Sequence, residues 1–372
     1  MFAQKKHRSF GNISQVCVVG MFPPPLNGMS AVTSMIHSLL VAYGSENVET
    51  IDCSPKVYRL RTPVARARKF IRIIGLLYKF HLWCISREGG KIYLSVSGRL
   101  GQIYDLLFVC IARFHGKNVY LHHHGYLYIE RKNFLASILF KVAGKSAIHI
   151  AACEKMALEL ANMYSIISNT RVISGVICLP EVEKVPSVRA KLRTVGFLSN
   201  ISAEKGIFEF IDSAIVLSKV FPELNFIIAG QFQDASSERA VTNFIQQVKS
   251  AHYVGPVYGN DKTGMLDSID CLLFPTHTES EGLVIHEAHS RCVPVIARST
   301  GCIASFNEKG LNLTASDATD FVEQAVAIIS KWISVSEDFL KLSAKVYHNH
   351  LEFRKKNDKA VREIVKEIAI ER

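Results

Sequence analysis

Residues 274–288 read Phe274-Pro275-Thr276-His277-Thr278-Glu279-Ser280-Glu281-Gly282-Leu283-Val284-Ile285-His286-Glu287-Ala288. The apolar run from Cys271 to Pro275 has strand character, Thr276 to Glu281 is a polar loop, and the pattern after Gly282 is that of a helix. A strand, a loop and a helix in that order form the repeating unit of a parallel α/β sheet, which binds ligands beyond the carboxyl ends of its strands. With a helix starting near Gly282, the N–H groups of Gly282, Leu283 and Val284 lack intrahelical acceptors and can cradle a diphosphate. Glu287 falls one turn after Leu283 on the same helix face, within reach of a ribose diol, while Glu279 stays on the loop. Glu281, between them, reads as a solvated charge at the helix start.

The same rhythm extends in both directions from this stretch. Strands are expected at Gln15–Met21, Val48–Cys53, Lys91–Ser95, Asn118–His122, Ile148–Ala152 and Arg171–Ser174, with helices at Ala31–Tyr43, Leu100–Phe114 and Glu154–Met163. These make one doubly wound domain. Leu179-Pro180-Glu181-Val182-Glu183-Lys184-Val185-Pro186 is polar and punctuated by proline, so the linker is placed at roughly 178 to 190. A second series of strands then reads at Arg193–Leu198, Asn225–Ala229, His252–Val254, Cys271–Pro275 and Val293–Ala297. The fold class is therefore α/β with two Rossmann-like domains, expected over 1–178 and 179–346.

Composition sets the remaining bounds. The chain has 372 residues, 48% of them hydrophobic and 21% charged, which suits two packed domains and excludes a disordered chain. Nine cysteines, odd in number and without a Cys-x-x-Cys pair, read as free thiols of a reducing compartment. Lys5, Lys6 and Arg8 precede an apolar run too short for a signal peptide, and no run reaches the length of a membrane span. The net charge of +11 is uneven: residues 1–175 carry 22 Lys/Arg against 8 Asp/Glu. That half calls for an anionic partner. Within it, residues 58–85 set Arg66, Lys69, Arg72 and Lys79 against an apolar face, which reads either as a basic amphipathic helix for an anionic membrane or as an ordinary surface helix. Nucleic acid is the weaker partner, since the basic residues lack aromatic interleaving.

The 274–288 stretch, continued by Ala288-His289-Ser290-Arg291-Cys292-Val293-Pro294-Val295-Ile296-Ala297, resembles the Glu-x7-Glu motif of retaining glycosyltransferase family 4. Upstream, Val195-Gly196-Phe197-Leu198-Ser199-Asn200-Ile201-Ser202-Ala203-Glu204-Lys205-Gly206 resembles the family's strand-loop-helix that carries an arginine and a lysine for the diphosphate. Lys205 matches the lysine, whereas Asn200 stands where the family has arginine. Pro23-Pro24-Pro25-Leu26-Asn27-Gly28-Met29-Ser30 resembles the family's glycine-bearing loop after the first strand, with Gly28 permitting close approach to phosphate or sugar.

The resemblance implies a GT-B fold, with its two domains facing each other across a cleft and a C-terminal helix, 347–372, crossing back to the first domain. It also implies transfer of a sugar, with retention, from a nucleoside diphosphate sugar to an acceptor hydroxyl. In that reading Lys205 and the Gly282 helix start hold the diphosphate, Glu279 lies beside the sugar, and no metal or other cofactor is needed. In Val119-Tyr120-Leu121-His122-His123-His124-Gly125-Tyr126, alternation sends His122 and His124 to one face and His123 to the other. The His-Gly step resembles the place of the family's active-site histidine, which puts His124 on the transferred sugar, with His122 and His123 as the other candidates. Arg99, after the third strand, could meet an anionic acceptor. Charge and family habit together imply a lipid-linked or saccharide acceptor of surface polysaccharide synthesis at the inner face of the plasma membrane, and a cytoplasmic enzyme. The rival readings are a catalytically silent GT-B subunit, favoured by Asn200, and a GT-B-like epimerase or phosphorylase.

Overall fold

The computed structural model describes residues 15–24, 27–43, 48–54, 63–182, 184–308, 313–315 and 321–370, with the side chains of 63–67, 69, 307, 308 and 313–315 outside the description. Lys5, Lys6 and Arg8, Pro25 and Leu26, Glu183 of the linker, and the head of the basic segment up to residue 62 therefore lie outside the described residues. The chain divides into two compact units, Met1–Cys178 with Asn357–Arg372, and Leu179–Lys356.

In the first unit the strands are β1 (Val16–Gly20), β2 (Val48–Asp52), β3 (Lys91–Val96), β4 (Asn118–His123), β5 (Ile148–Ala151) and β6 (Thr170–Val172). Between them run α1 (Gly28–Ala42), α2 (Pro63–Ser86), α3 (Gln102–Phe114), α4 (Leu127–Glu130), α5 (Phe134–Ala143) and α6 (Glu154–Met163). The sheet is parallel, in the order β2-β1-β3-β4-β5-β6. The chain turns one way from β1 to β2 and the other way from β2 onward. Right-handed crossovers therefore put α1 on one face of the sheet and α2, α3 and α5 on the other. The Val16–Gly20 and Lys91–Val96 strands are buried throughout, as strands covered on both faces must be.

Helix α1 starts at Gly28, three residues earlier than apolar periodicity suggests. Asn27 caps it: its side chain accepts from Ser30 N at 3.0 Å while Ser30 Oγ accepts from Asn27 N at 2.9 Å, a reciprocal capping box. The Asn27-x-x-Ser30 spacing carried that signal.

The second unit holds β7 (Thr194–Leu198), α7 (Ile207–Val220), β8 (Asn225–Ala229), α8 (Ala235–Gln247), β9 (Ala251–Gly255), α9 (Gly259–Ser268), β10 (Cys271–Phe274), α10 (Leu283–His289), β11 (Val295–Arg298), α11 (Ile303–Glu308), β12 (Leu313–Ala315) and α12 (Phe321–Ser334). Helix α13 (Ser336–Ala369) begins here, and from Asn357 on its residues group with the first unit. There Lys91 Nζ donates to the carbonyls of Glu367 and Ile370 at 2.8 and 2.6 Å, and Arg171 pairs with Glu367 at 3.2 Å.

The second sheet is also parallel, in the order β12-β11-β10-β7-β8-β9. The two-residue side-chain period splits its core between its faces. Val195, Phe197, Phe226, Ile228 and Leu273 pack into one cluster, and Leu198, Leu272, Phe274, Val295 and Ala297 into the other. The strand order reverses between β7 and β10. A parallel sheet opens a crevice beyond the carboxyl ends of its strands at such a point.

Candidate active site

The loops that leave β7 and β10 at this switch point carry Lys205 and Glu279. Lys205 Nζ donates to Glu279 Oε2 at 2.9 Å and to the Thr278 carbonyl at 3.0 Å, and Ser280 N donates to Glu279 Oε1 at 3.2 Å. Both carboxylate oxygens are thus engaged. An ammonium has three N–H donors, so one donor of Lys205 remains without a partner among the described residues.

Backbone geometry fixes the pair. Ser202 caps the short 3-10 turn Ala203–Lys205, its Oγ accepting from Lys205 N at 3.3 Å. Gly206 then takes φ +79°, and a Cβ there would stand 2.2 Å from the Pro275 carbonyl oxygen. Only glycine lets this turn press so closely on the β10 loop. Across that contact His277 N donates to the Glu204 carbonyl at 2.9 Å, and Thr278 Oγ1 bonds the Glu204 carboxylate. Behind the loop, Glu209 on α7 accepts from Arg298 Nη2 at 3.0 Å and meets His277 Nε2 at 2.5 Å, while Arg298 Nε reaches the Pro275 carbonyl at 3.4 Å. Arg298 and Glu209 were not singled out from sequence. Both are brought here by tertiary packing, and the only local hint was an arginine at the end of an otherwise apolar strand.

Gly282 caps α10 in the left-handed conformation, φ +76°. Of α10, Ile285, His286, Ala288 and His289 are buried, which leaves Leu283, Val284 and Glu287 on its accessible side. Leu283 and Glu287 are the residues the sequence pattern placed on one face. The buried side is held by ring packing: His286 stacks on Phe353 of α13 at 5.1 Å and meets Phe306 of α11 edge-on at 4.9 Å. Glu287 forms an ion pair with Lys262 of α9, a partner that sequence did not suggest. Glu281 is a correction: it is not a solvated charge but a buried one, with Oε1 3.9 Å from His286 Nε2. The turn into α10 folds its side chain inward beside the helix instead of outward.

Asn200 lies exposed in the turn after β7, between Ser199, whose N donates to the Ala229 carbonyl at 3.3 Å, and Ile201, whose N donates to the Gln231 carbonyl at 2.9 Å. No ion pair involving it, and no cation in its place, is found among the described residues of this turn.

In the first unit, β4 delivers the three histidines to its carboxyl end. His122 and His124 lie together with ring centroids 4.3 Å apart, and Tyr93 OH bonds His122 Nδ1 at 2.5 Å. His123 points the other way, bonding Tyr128 OH and His149 Nδ1, each at 2.9 Å. His124 Nε2 is shielded from solvent and has no partner among the described residues. Burial lowers the His124 pKa to about 3, so the ring is neutral at physiological pH. His122 and His123 are also lowered well below the usual imidazole range, by burial first and then by the neighbouring imidazoles. Among the described residues no group of His, Cys, Asp or Glu has the arrangement to hold a metal ion.

Gly28, the first residue of α1, and Arg99 sit beyond β1 and β3, the switch point of the first sheet. Arg99 is exposed with φ +52°, an uncommon state for arginine. Its loop is held by buried Asp105, which accepts from Ser97 N at 2.7 Å and Ser97 Oγ at 3.1 Å. Burial raises the Asp105 pKa to about 7 against those two hydrogen bonds. In α2, Arg72 is turned inward onto the carbonyls of Asp52 and Ser54, and Lys79 pairs with Glu49 at 2.5 Å. The side chains of Arg66 and Lys69 lie outside the description. Cys17, Cys84, Cys110, Cys271 and Cys292 are free thiols. No described helix is long and apolar enough to cross a membrane.

Two parallel sheets of this topology define the GT-B fold. The structure is similar to HepE of Anabaena bound to UDP, with a TM-score of 0.66 at 15% identity over 95% of this chain and 98% of that one. It is also similar to sucrose-phosphate synthase of Thermosynechococcus elongatus, with a TM-score of 0.63 at 11% identity over 93% and 98%. Residues 180–349, within the second unit, match the family of glycosyl transferases group 1. Two relatives from Acholeplasma laidlawii are similar over shorter stretches. Alpha-monoglucosyldiacylglycerol synthase is 27% identical over 118 residues, 31% of this chain, and processive diacylglycerol alpha-glucosyltransferase is 32% identical over 99 residues, 25% of this chain. The matched stretches span 29% and 27% of the length of those relatives.

Proposed function

We propose that this chain is a retaining, metal-independent glycosyltransferase of the family 4 type, moving a sugar from a nucleoside diphosphate sugar to an acceptor hydroxyl. The observation that carries this reading is the Lys205–Glu279 pair, set at 2.9 Å where the second sheet's strand order reverses. Breaking the anomeric bond leaves charge on the diphosphate. Lys205 and the first N–H groups of α10 are preorganised donors of the kind that stabilise such charge. Glu287 takes the ribose, Glu279 attends the sugar, and His124, neutral with an unpartnered Nε2, acts on the reacting sugar as a hydrogen-bonding group.

The acceptor we infer is lipid-linked, either a saccharide of surface polysaccharide synthesis or a glycerolipid like those in the relatives' names. The enzyme would then meet it at the cytoplasmic face of an anionic membrane, with residues 58–85 as the contact. The charge of the first half supports this. The test is purified protein with UDP-, GDP- and ADP-sugars, with and without diacylglycerol or a polyprenyl-linked saccharide in mixed micelles. Acceptor-dependent release of nucleotide, and a product with the donor's anomeric configuration by NMR, is expected. Turnover of nucleotide sugar without acceptor would point instead to an epimerase. No turnover with any donor would leave the silent subunit, which the exposed Asn200 favours.

A further inference from the structure

We propose that α2 and α3 of the first unit form a single docking face for an anionic lipid bilayer, with the apolar stripe of α3 inserting beside that of α2. This rests on the lipid-acceptor reading above and extends it to a helix outside residues 58–85. In α2, Ile71, Ile74, Tyr78, Leu82 and Ile85 recur at spacings of three and four, and all are exposed, Ile71 at 68% and Tyr78 at 64%. Leu100, just ahead of α3, continues through Ile103, Leu107, Cys110 and Phe114 at the same spacings, and these too are exposed, Leu100 at 73% and Phe114 at 83%. Each helix has a second apolar side that is buried: Ile73, Phe80 and Cys84 in α2, and Phe108, Val109 and Ala112 in α3. The outer stripes are therefore not the core-facing sides of ordinary amphipathic helices.

The two helices are neighbours on one face of the sheet. Phe80 and Phe108 meet at 5.2 Å, and His81 Nδ1 lies 3.1 Å from His115 Nε2. The stripes accordingly adjoin, and together they exceed the scattered apolar exposure of an ordinary surface.

Charge selects the occupant. Between Cys53 and Ile129 the only acids are Glu88 and Asp105, against thirteen Lys/Arg, and Asp105 is buried on Ser97. Arg68, Arg87 and Arg99 are exposed around the stripes. A second copy of the same face would oppose like charges. An anionic bilayer meets both demands, acyl chains for the Ile, Leu, Tyr and Phe side chains and headgroups for the arginines.

The full-length protein is to be sedimented with vesicles of phosphatidylcholine alone and of phosphatidylcholine with phosphatidylglycerol, and UDP binding measured on each variant by calorimetry. Wild type should partition onto the anionic vesicles at least tenfold better. Leu107→Asn with Phe114→Asn should lower that partition by about tenfold or more, and each of Arg68→Gln and Arg87→Gln by about fivefold. Val216→Asn with Val220→Asn, exposed apolar residues of α7, should change nothing. Unchanged partition in the Leu107/Phe114 variant, with native circular dichroism and UDP binding, would overturn the proposal. So would equal binding to both vesicle types, or a wild-type dimer that this variant converts to monomer without vesicle binding. If UDP does not bind wild type while partition behaves as described, the glycosyltransferase reading fails and the docking face stands.

Discussion

Lys205 and Glu279 form an ion pair at 2.9 Å across the two loops that leave β7 and β10. Each is about four-fifths shielded from solvent, so the pair is neither a screened surface contact nor a fully dry one. A diphosphate arriving at Lys205 must share its ammonium with Glu279, and the remaining donor of Lys205 makes sharing feasible without breaking the pair. Lys205→Ala should therefore lower turnover by about a hundredfold to a thousandfold, the usual loss on removing a preorganised donor from a developing oxyanion. Because Lys205→Ala also strands the Glu279 carboxylate, Glu279→Gln should be measured beside it and in combination. A double variant no worse than Lys205→Ala alone would show that the two act as a unit.

Glu287→Ala should raise the donor KM with little change in turnover, since a ribose contact is made in ground and transition states alike. The ion pair from Lys262 gives a second handle. Lys262→Met should also raise the donor KM, by less, because it removes the partner that positions the Glu287 carboxylate and leaves the carboxylate itself in place. Initial rates against donor concentration decide this. A Lys262→Met variant with a KM at or below wild type would mean that the pair competes with the donor.

The two series of strands and the Leu283–Glu287 face of α10 were legible because they follow from local pattern, whereas Lys205 and Glu279 were singled out only through the family resemblance. Val195-Gly196-Phe197 and Cys271–Phe274 are apolar strands bounded by polar loops, and parallel sheets bind at loops of that kind. What sequence did not disclose depends on contacts distant in the chain. Glu281 is buried with its Oε1 3.9 Å from His286 Nε2, and His286 in turn stacks on Phe353 of α13, more than sixty positions further on. Arg298 meets Glu209 across 89 positions. Lys79 and Arg72 looked like a free basic face, but Glu49 and the Asp52 carbonyl, on a separate strand, engage them. The start of α1 is the exception: its Asn27-x-x-Ser30 capping spacing was local and went unread.

His124→Ala should lower turnover chiefly and leave donor affinity close to wild type, since it removes a group assigned to the reacting sugar. Its pKa of about 3 means that it stays neutral across the assay range, so no rate change between pH 5 and 8 should trace to it. Stability behaves differently. His124, His149 and His289 are lowered to about 3 and His350 to about 4, in each case first by burial. Unfolded, these imidazoles take up protons below about pH 6.5. The native state takes them up only near pH 3 to 4, so stability present above pH 6.5 is lost as pH falls toward those values. At pH 5.5 each such group costs on the order of 1 kcal/mol. Urea midpoints at pH 7.5 and 5.5 should differ by several such increments, and coincident midpoints would contradict the burial of these rings.

Chelation should leave transfer intact. The donors assigned to the diphosphate are Lys205 and the first N–H groups of α10, and we propose no metal step. Loss of turnover in EDTA, restored by Mg²⁺ or Mn²⁺, would show that a metal carries charge which this reading gives to Lys205.

Asn200 occupies the turn after β7 at the position where the resemblance expects an arginine, and it is exposed. An amide can donate a hydrogen bond to a phosphate oxygen but supplies no Coulomb attraction, whereas a guanidinium supplies both. The turn itself is set by backbone bonds on either side, from Ser199 N and Ile201 N. An exposed residue between two such anchors can therefore be exchanged with little cost to folding. Asn200→Arg should bind UDP more tightly, by about fivefold to twentyfold for one added charge-assisted hydrogen bond net of its neutral predecessor. The gain should shrink as ionic strength rises. The same change placed in the Lys205→Ala background should recover part of the lost turnover, because the two cations would face one leaving group. If Asn200→Arg leaves both UDP affinity and turnover at wild-type values, the turn after β7 does not face the diphosphate. Lys205 would then have to act alone.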